Sequence, residues 1–210
     1  MTHSMPEMVE TIAATVLFAY VRFGEWDHVL KTPQPGAGQP LSAAIWRYAR
    51  AVAMAARGDR AGAAREREGF EAKKATVPAG GLWGQNKTAD VLAMASEVLV
   101  ARIAEAPQEA VPHWRNAVAM QEALVYDEPP DWYYPLRESL GAALLRAGQA
   151  TEAERVLREG VKRSPHNGRM LFALMESLKA QGKTEDADWV RREFDAAWDK
   201  ADVKLRLEDL

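Results

Sequence analysis

A glycine that recurs at a fixed interval is the feature that most constrains the fold of this chain. Gly24 and Gly58 lie 34 residues apart, and so do Gly148 and Gly182. Each glycine follows an apolar segment with helical spacing, and a small or apolar residue comes five positions after it. An interval of 34 residues is that of a repeating unit made of two antiparallel helices. The spacing therefore predicts a helical-repeat protein.

The unit around Gly148 shows why these residue types suit a pair of helices. Gly148 itself favours the left-handed conformation that ends a helix, and Pro165 stops the second helix of the unit. Gly141 and Ala153 carry little or no side chain, which lets two helices approach closely, so we expect both to be buried where the helices cross. A larger residue there, as in Gly141→Leu, should overpack the contact and cost about 1–3 kcal/mol.

Helical periodicity covers nearly the whole chain, and no alternating strand-like run interrupts it. The sequence therefore predicts an all-α fold with essentially no sheet, and with proline- and glycine-rich loops at 32–40 and 76–87. Since the interval is that of the tetratricopeptide repeat (TPR), we expect one continuous, right-handed superhelical solenoid over residues 1–210. Its five antiparallel helix pairs are expected at about 6–32, 41–76, 88–127, 131–165 and 168–200, followed by a C-terminal tail at 201–210.

Composition narrows the classes of function. Lys and Arg number 27 against 30 Asp and Glu, a net charge of -3, so no broad basic surface favours nucleic acid as a partner. Cysteine is absent, which excludes disulfides, thiolate metal sites and cysteine nucleophiles. The most apolar segment, 12–21, is far too short to span a bilayer, and no secretory signal is recognisable. We therefore expect a cytoplasmic protein that binds neither nucleic acid nor membrane.

Three segments resemble signature stretches of a bacterial family of TPR proteins. They read Arg-Phe-Gly-Glu-Trp-Asp-His-Val-Leu at 22–30, Tyr-Asp-Glu-Pro-Pro-Asp-Trp-Tyr-Tyr-Pro-Leu-Arg at 126–137 and Ala-Trp-Asp-Lys-Ala-Asp-Val at 197–203. The resemblance covers almost the whole chain in order, and it implies a TPR fold throughout. It implies no defined activity, because none is known for that family.

No catalytic or metal-binding pattern stands out in the sequence. The histidines, which are scattered one to a region without sharing a helix face, are His3, His28, His113 and His166. No nucleophile elbow, zinc-protease motif or meaningful carboxylate pair is present. We therefore expect no catalytic residues, no metal ligands and no cofactor, and an enzyme is the less favoured interpretation.

The stretch 126–137, which we call the aromatic-acidic lip, has the most unusual composition. Three aromatic residues in a row come shortly after the pair Pro129–Pro130: Trp132, Tyr133 and Tyr134. In one interpretation the prolines shape a rigid turn and the rings pack between repeats. In the other, the lip borders a binding groove, where Arg137 pairs with Asp127 or Glu128 or anchors an anionic ligand.

The first helices of stacked repeats line the concave face in proteins of this type. In the last two repeats the positions expected to face that groove are Glu138, Ala142, Arg169, Phe172, Glu176 and Lys179. Glu138 and Ala142 disfavour a clamp for a C-terminal carboxylate, because such clamps resemble one another in a Lys, Asn and Arg set at these positions. In the alternative interpretation, Arg169, Glu176 and Lys179 are ordinary solvated side chains with no role in binding.

Two hypotheses of function follow from these patterns. The leading one is a non-catalytic scaffold that binds a peptide or protein through the three aromatic residues, Arg137 and the groove positions. The alternative is a small-ligand or metal-binding protein, or an enzyme, that uses the aromatic-acidic lip and His113. The sequence leaves a homo-oligomer open.

Overall fold

The computed structural model describes residues 6–210, and in that range the chain forms ten α-helices in five consecutive pairs. The pairs are α1 (Pro6–Phe23) and α2 (Trp26–Lys31), α3 (Pro40–Ala56) and α4 (Arg60–Lys74), α5 (Thr88–Ile103) and α6 (Pro107–Ala123), α7 (Arg137–Arg146) and α8 (Ala150–Arg163), and α9 (Gly168–Ala180) and α10 (Thr184–Trp198). Two very short strands, β1 (Leu82–Trp83) and β2 (Asn86–Lys87), and a 3₁₀ turn at Leu207–Asp209 complete the described elements. The predicted all-α class is confirmed.

The four repeated glycines end the first helices of their pairs in the same way. All four have a positive φ, between 71° and 81°. The residue after each glycine donates its backbone N–H to the carbonyl five positions earlier, as from Gln149 to Leu144 at 2.9 Å and from Lys183 to Leu178 at 3.0 Å. Such a bond satisfies a carbonyl that the helix end leaves without a partner. The turns predicted from the spacing are confirmed.

Small residues bring α7 and α8 into close contact. Gly141 and Ala153 are both buried, as predicted. A Cβ atom at position 141 would lie 2.5 Å from Cγ of Leu157 on α8, whereas carbon atoms in ordinary contact are about 3.5–4.0 Å apart. The two helices therefore pack at a separation that suits glycine at this position.

A minimal hairpin lies inside the segment that the sequence predicts as a loop at 76–87. β1 and β2 pair antiparallel, with Leu82 opposite Lys87 and Trp83 opposite Asn86. Gly84 has a φ of 58°, which suits the two-residue turn of a hairpin. This pairing is the small exception to the expectation of essentially no sheet.

The fourth helix pair begins later than the predicted residue 131. The stretch 124–136 forms no helix, and α7 begins at Arg137. Prolines at 129, 130 and 135 explain the difference, because proline lacks an N–H and disfavours the helical conformation of the residue before it.

The chain divides into two compact units. The first contains the described residues up to Ile103 together with Ala119–Tyr134, and the second contains Ala104–Val118 and Pro135–Leu210. Buried aromatic side chains, among them those of Tyr48 and Phe70, fill the core of the first unit, while aliphatic side chains dominate that of the second. The single continuous domain and its right-handed course stay predictions.

Helix α1 keeps apolar residues on its exposed side. Val9, Ile12, Val16 and Phe23 are each more than half exposed and recur with the spacing of one helix face. On the opposite side, the buried carboxylate of Glu10 accepts a hydrogen bond from the backbone of α3. None of the described helices, α1 included, is long and apolar enough to cross a membrane.

Candidate functional site

The three consecutive aromatic residues of the lip, at 132–134, are packed inside the first unit, whereas Tyr126 at its start is exposed. Trp132 and Tyr134 are only 3% and 4% exposed. Tyr133 stacks on Phe18 with ring centroids 4.4 Å apart, and Trp132 meets Tyr48 edge-on at 5.4 Å. This arrangement fits the interpretation in which the rings fill space in the core. A partner would reach these rings only if the segment left the core.

Polar contacts hold the aromatic cluster together. The hydroxyls of Tyr48 and Tyr133 are 3.0 Å apart, and Arg102 donates to the hydroxyl of Tyr134 at 3.3 Å. Burial raises the pKa of Tyr48 and of Tyr133 above the ordinary value of about 10. Both phenols are therefore protonated at neutral pH, and they act as structural hydrogen-bonding groups rather than as bases.

The acidic part of the lip is attached to the β1–β2 hairpin. The Asp127 carboxylate accepts the backbone N–H of Gln85 at 3.0 Å, and the Asp131 carboxylate accepts the side-chain amide of Asn86 at 2.6 Å. Burial raises the pKa of Asp131 above its ordinary value, even though the bond from Asn86 opposes this. These two carboxylates tether the proline-rich stretch to the hairpin. Their contacts are those of structural residues.

Three of the positions predicted to line the lip or the groove lie on α7. Glu138 and Ala142 are buried, and Arg137 is half-buried. Arg137 and Glu138 both have interaction partners within the protein. The proposed pairing of Arg137 with Asp127 or Glu128 stays a prediction.

The four predicted positions on α9 form one stripe along that helix. They recur at intervals of three and four residues: Arg169, Phe172, Glu176 and Lys179. Phe172 is half-buried against Phe194 of α10, with ring centroids 5.8 Å apart. Glu176 and Lys179 form an ion pair of 2.7 Å that is partly exposed, and such pairs contribute at most about 1 kcal/mol. The stripe therefore contains an apolar side chain, that of Phe172, beside the accessible charges of Glu176 and Lys179.

The residues after α10 lie against α7 and α9, and we call residues 201–210 the return segment. Ser139 of α7 donates its hydroxyl to the backbone oxygen of Leu210. Arg169 of α9 donates to the backbone oxygen of Asp209 at 3.1 Å. Leu205 and Leu210 are buried, at 7% and 4% exposure. The surface around Ser139 and Arg169, which we call the α7–α9 face, thus already holds a short stretch of polypeptide.

Trp198 fixes the path of the return segment. Its indole N–H donates to the carbonyl of Val203 at 2.7 Å, which turns the chain back after α10. Its ring lies over the first residue of α9, where a Cβ on Gly168 would meet it at 2.4 Å. Sequence reasoning described 201–210 only as a tail. The sequence feature that could have predicted this turn is the signature stretch 197–203, because its tryptophan and valine form the hydrogen bond that turns the chain back.

The histidines lie at separate places in the described chain. His28 is exposed, and its Nδ1 lies 3.2 Å from the Glu25 carboxylate, which can accept its hydrogen bond. His113 is half-buried on α6, and His166 is exposed in the turn before α9. His3 lies outside the described residues. Within residues 6–210, no group of three or more His, Asp or Glu side chains is arranged to hold a metal ion.

Comparison with known proteins bears on the fold. No family model matches the chain. A segment of 61 residues, 28% of this chain, is 38% identical to an uncharacterized protein of Aquifex aeolicus, but it spans only 8% of that protein's length. A solved structure of Podosopora anserina, described as kinesin light chain nearly identical TPR-like repeats, has a TM-score of 0.52 to this chain at 15% identity, over 97% of this chain and 100% of that one. The fold is TPR-like.

In a TPR-like fold, α7 and α9 are the first helices of two adjacent repeats, and α8 and α10 are the second helices. α7 and α9 pack against each other, and α8 packs against α9. The return segment therefore contacts these two first helices through the hydrogen bonds from Ser139 and Arg169, and it is also bonded to Trp198 at the end of the second helix α10.

Proposed function

We propose that this chain is a scaffold that binds a peptide, or an extended segment of a protein, on the α7–α9 face. The observation that carries the proposal is the return segment, which contains no α-helix and lies on this face. Two side chains of the face, those of Ser139 and Arg169, donate hydrogen bonds to its backbone oxygens. Helical repeats commonly use extended surfaces of their first helices for binding. The TPR-like fold supports a role in protein–protein interaction.

The chemistry of the face suits a polypeptide ligand. Ser139 and Arg169 both donate to backbone oxygens of the return segment. Since every peptide offers backbone oxygens, another chain can make the same two bonds. The bond from the Arg169 guanidinium is charge-assisted, and bonds of this kind contribute about 1.5–3 kcal/mol.

The rest of the α9 stripe extends the proposed site. Phe172 offers part of an aromatic ring, and Glu176 and Lys179 offer accessible charges of both signs. Aromatic residues and arginine supply much of the binding energy at protein interfaces. We therefore include Phe172 with Arg169 among the residues expected to contact a partner.

The resemblance to a bacterial TPR family, and with it a cytoplasmic location, belongs to the same proposal. In support of this resemblance, one tryptophan in each of the three signature stretches makes a structural contact. The ring of Trp26 lies 3.7 Å from the Cβ position of Gly24 at the first turn, Trp132 sits in the aromatic core, and Trp198 turns the chain back.

A peptide library tests this proposal. The purified chain, with and without Leu205→Ser to loosen the return segment, is panned against random peptides, and selected peptides are titrated by fluorescence anisotropy. Arg169→Ala should weaken binding about tenfold or more, because it removes a charge-assisted bond. Arg192→Ala is the matched control, since Arg192 lies on second helix α10 and stacks on Trp189.

The same titrations contain the results that would refute the scaffold proposal. Peptides that bind equally well to the Arg169→Ala chain but not to the Arg192→Ala chain would move the site to the second helices. A folded chain that selects no peptide in either form would contradict a peptide-binding function altogether. Equal melting temperatures of the two arginine variants and the unmodified chain exclude unfolding as the cause of any loss.

A further inference from the structure

We infer that the return segment is an intramolecular ligand of the α7–α9 face, which competes there with a partner peptide of similar leucine-rich, acidic character. The inference rests on the proposed function, since it names the ligand class and the regulation of the same site. Its basis is the pattern of buried and exposed residues in the segment, its internal ion pair and its attachment to the repeats.

Two leucines anchor the segment. Leu205 and Leu210 are buried, whereas Lys204, Arg206 and Glu208 between or beside them are exposed. The anchors lie five residues apart and enclose a turn that contains Glu208 and Asp209. The ligand pattern is therefore leucine, a basic residue, leucine, two acids and leucine, which in this chain reads Leu-Arg-Leu-Glu-Asp-Leu at 205–210.

An internal clip shapes the docked segment. The guanidinium of Arg206 forms an ion pair of 2.8 Å with the Asp209 carboxylate, which also accepts the backbone N–H of Arg206 at 3.0 Å. These bonds close the 3₁₀ turn and leave the backbone oxygen of Asp209 to accept from Arg169. Because these bonds lie within the segment and involve no residue of the repeats, a segment that keeps them loses less conformational freedom on docking. A competing peptide should carry the same basic and acidic pair three residues apart.

The segment can leave the face without unfolding a repeat. Residues 201–204, which join it to α10, are exposed and belong to no helix or strand. The linker is bonded to Trp198, whose indole N–H donates to the Val203 carbonyl and whose own carbonyl accepts the N–H of Ala201. Release of residues 205–210 breaks the bonds from Ser139 and Arg169 and breaks no α-helix. Such an opening is local rather than global.

Attachment to the same chain makes the segment an effective competitor. A short flexible linker gives a tethered ligand an effective concentration in the millimolar range. If the segment occupies the face for about 90–99% of the time, the apparent affinity for an external peptide falls about 10- to 100-fold. Release of the segment should restore that affinity.

The test uses a fluorescein-labelled peptide with the sequence of residues 201–210. It is titrated into the unmodified chain and into a released chain carrying Leu205→Ser and Leu210→Ser, with Arg169→Ala and Arg192→Ala each added to the released chain. We expect the released chain to bind the peptide at least about tenfold more tightly than the unmodified chain. Arg169→Ala should remove most of this gain, and Arg192→Ala should leave it unchanged. A peptide with both anchor leucines replaced by serine should not bind.

Two results would overturn the inference. Equal affinity of the peptide for the unmodified and released chains would show that the segment does not compete. No binding to a released chain that keeps its circular dichroism would show that the face does not recognise this pattern. If unrelated library peptides still bind in an Arg169-dependent way, the scaffold proposal stands while this inference fails.

Hydrogen exchange on the unmodified chain provides a second test that does not depend on the folding of the Leu205→Ser, Leu210→Ser variant. The amides of Leu205–Leu210 should exchange at least about 100-fold faster than the most protected amides of α7, and excess peptide should speed them further. Exchange of these amides only at the rate of global unfolding would make the segment a fixed part of the fold and would refute the inference.

Discussion

Replacing Gly141 with leucine should destabilise the second unit through one contact. A Cβ atom at position 141 would lie 2.5 Å from both Cγ and Cδ2 of Leu157, about 1 Å inside ordinary carbon–carbon contact. Overpacking of this kind costs about 1–3 kcal/mol, with several added carbons toward the upper end. Leucine is a better helix former than glycine by about 1 kcal/mol, which offsets part of the cost. We therefore expect a net loss of about 2 kcal/mol.

Urea titration followed by circular dichroism measures this loss. With a slope of about 2 kcal/mol per molar urea, the midpoint should fall by about 1 M. Gly38→Ala is the control, because within residues 6–210 no heavy atom beyond those of its chain neighbours lies within 4 Å of its Cβ position, and its midpoint should not move. Combining Gly141→Leu with Leu157→Ala should cost less than the sum of the two changes by about 1 kcal/mol. An unshifted midpoint for Gly141→Leu would refute the alignment of α7 on α8.

Three further predictions concern other parts of the chain. Burial alone would raise the pKa of Glu154, but hydrogen bonds from Lys183 and other donors lower this pKa to about 2. The ionised carboxylate therefore stabilises the folded chain above about pH 4.3, and this stabilisation is lost as the pH falls toward 2. Glu154→Gln should accordingly flatten the acid side of a stability–pH profile, and an unchanged profile would contradict the assignment. Gly84→Ala should loosen the lip and lower stability by about 1–2 kcal/mol, because its Cβ would collide with the Asp127 carboxylate at a positive φ; a thermal melt checks this. Divalent metals should not raise the melting temperature, and a rise of several degrees that His113→Ala abolishes would favour the metal-binding alternative.

The helix pairs were predictable because their determinants are local. A glycine such as Gly148 ends a helix through its own backbone conformation and a hydrogen bond within its own turn. The small residues Gly141 and Ala153 lie on α7 and α8, which that turn joins. The packing of these two helices therefore follows from the repeat length. The start of α7 was less predictable, because three prolines shift it by several residues.

The candidate site was predictable only in part, since its contacts join distant positions. The sequence selected Arg169, but its acceptor on Asp209 is 40 residues away. Ser139 and Leu210 are 71 residues apart, and no local pattern links them. The aromatic residues at 132–134 suit either a binding surface or a protein core. Their packing against Phe18 and Tyr48 distinguishes these two interpretations, and the sequence does not show it.

Backbone NMR mapping of a library-selected peptide is the most direct test of the central claim that the α7–α9 face is the ligand-binding surface. Amide shifts are recorded on the intact chain as the peptide is added. We predict that the largest changes occur on α7 and α9 near Ser139 and Arg169, and on residues 205–210 as the return segment is displaced. Changes confined to the second helices α8 and α10, with the return segment unperturbed, would contradict this account.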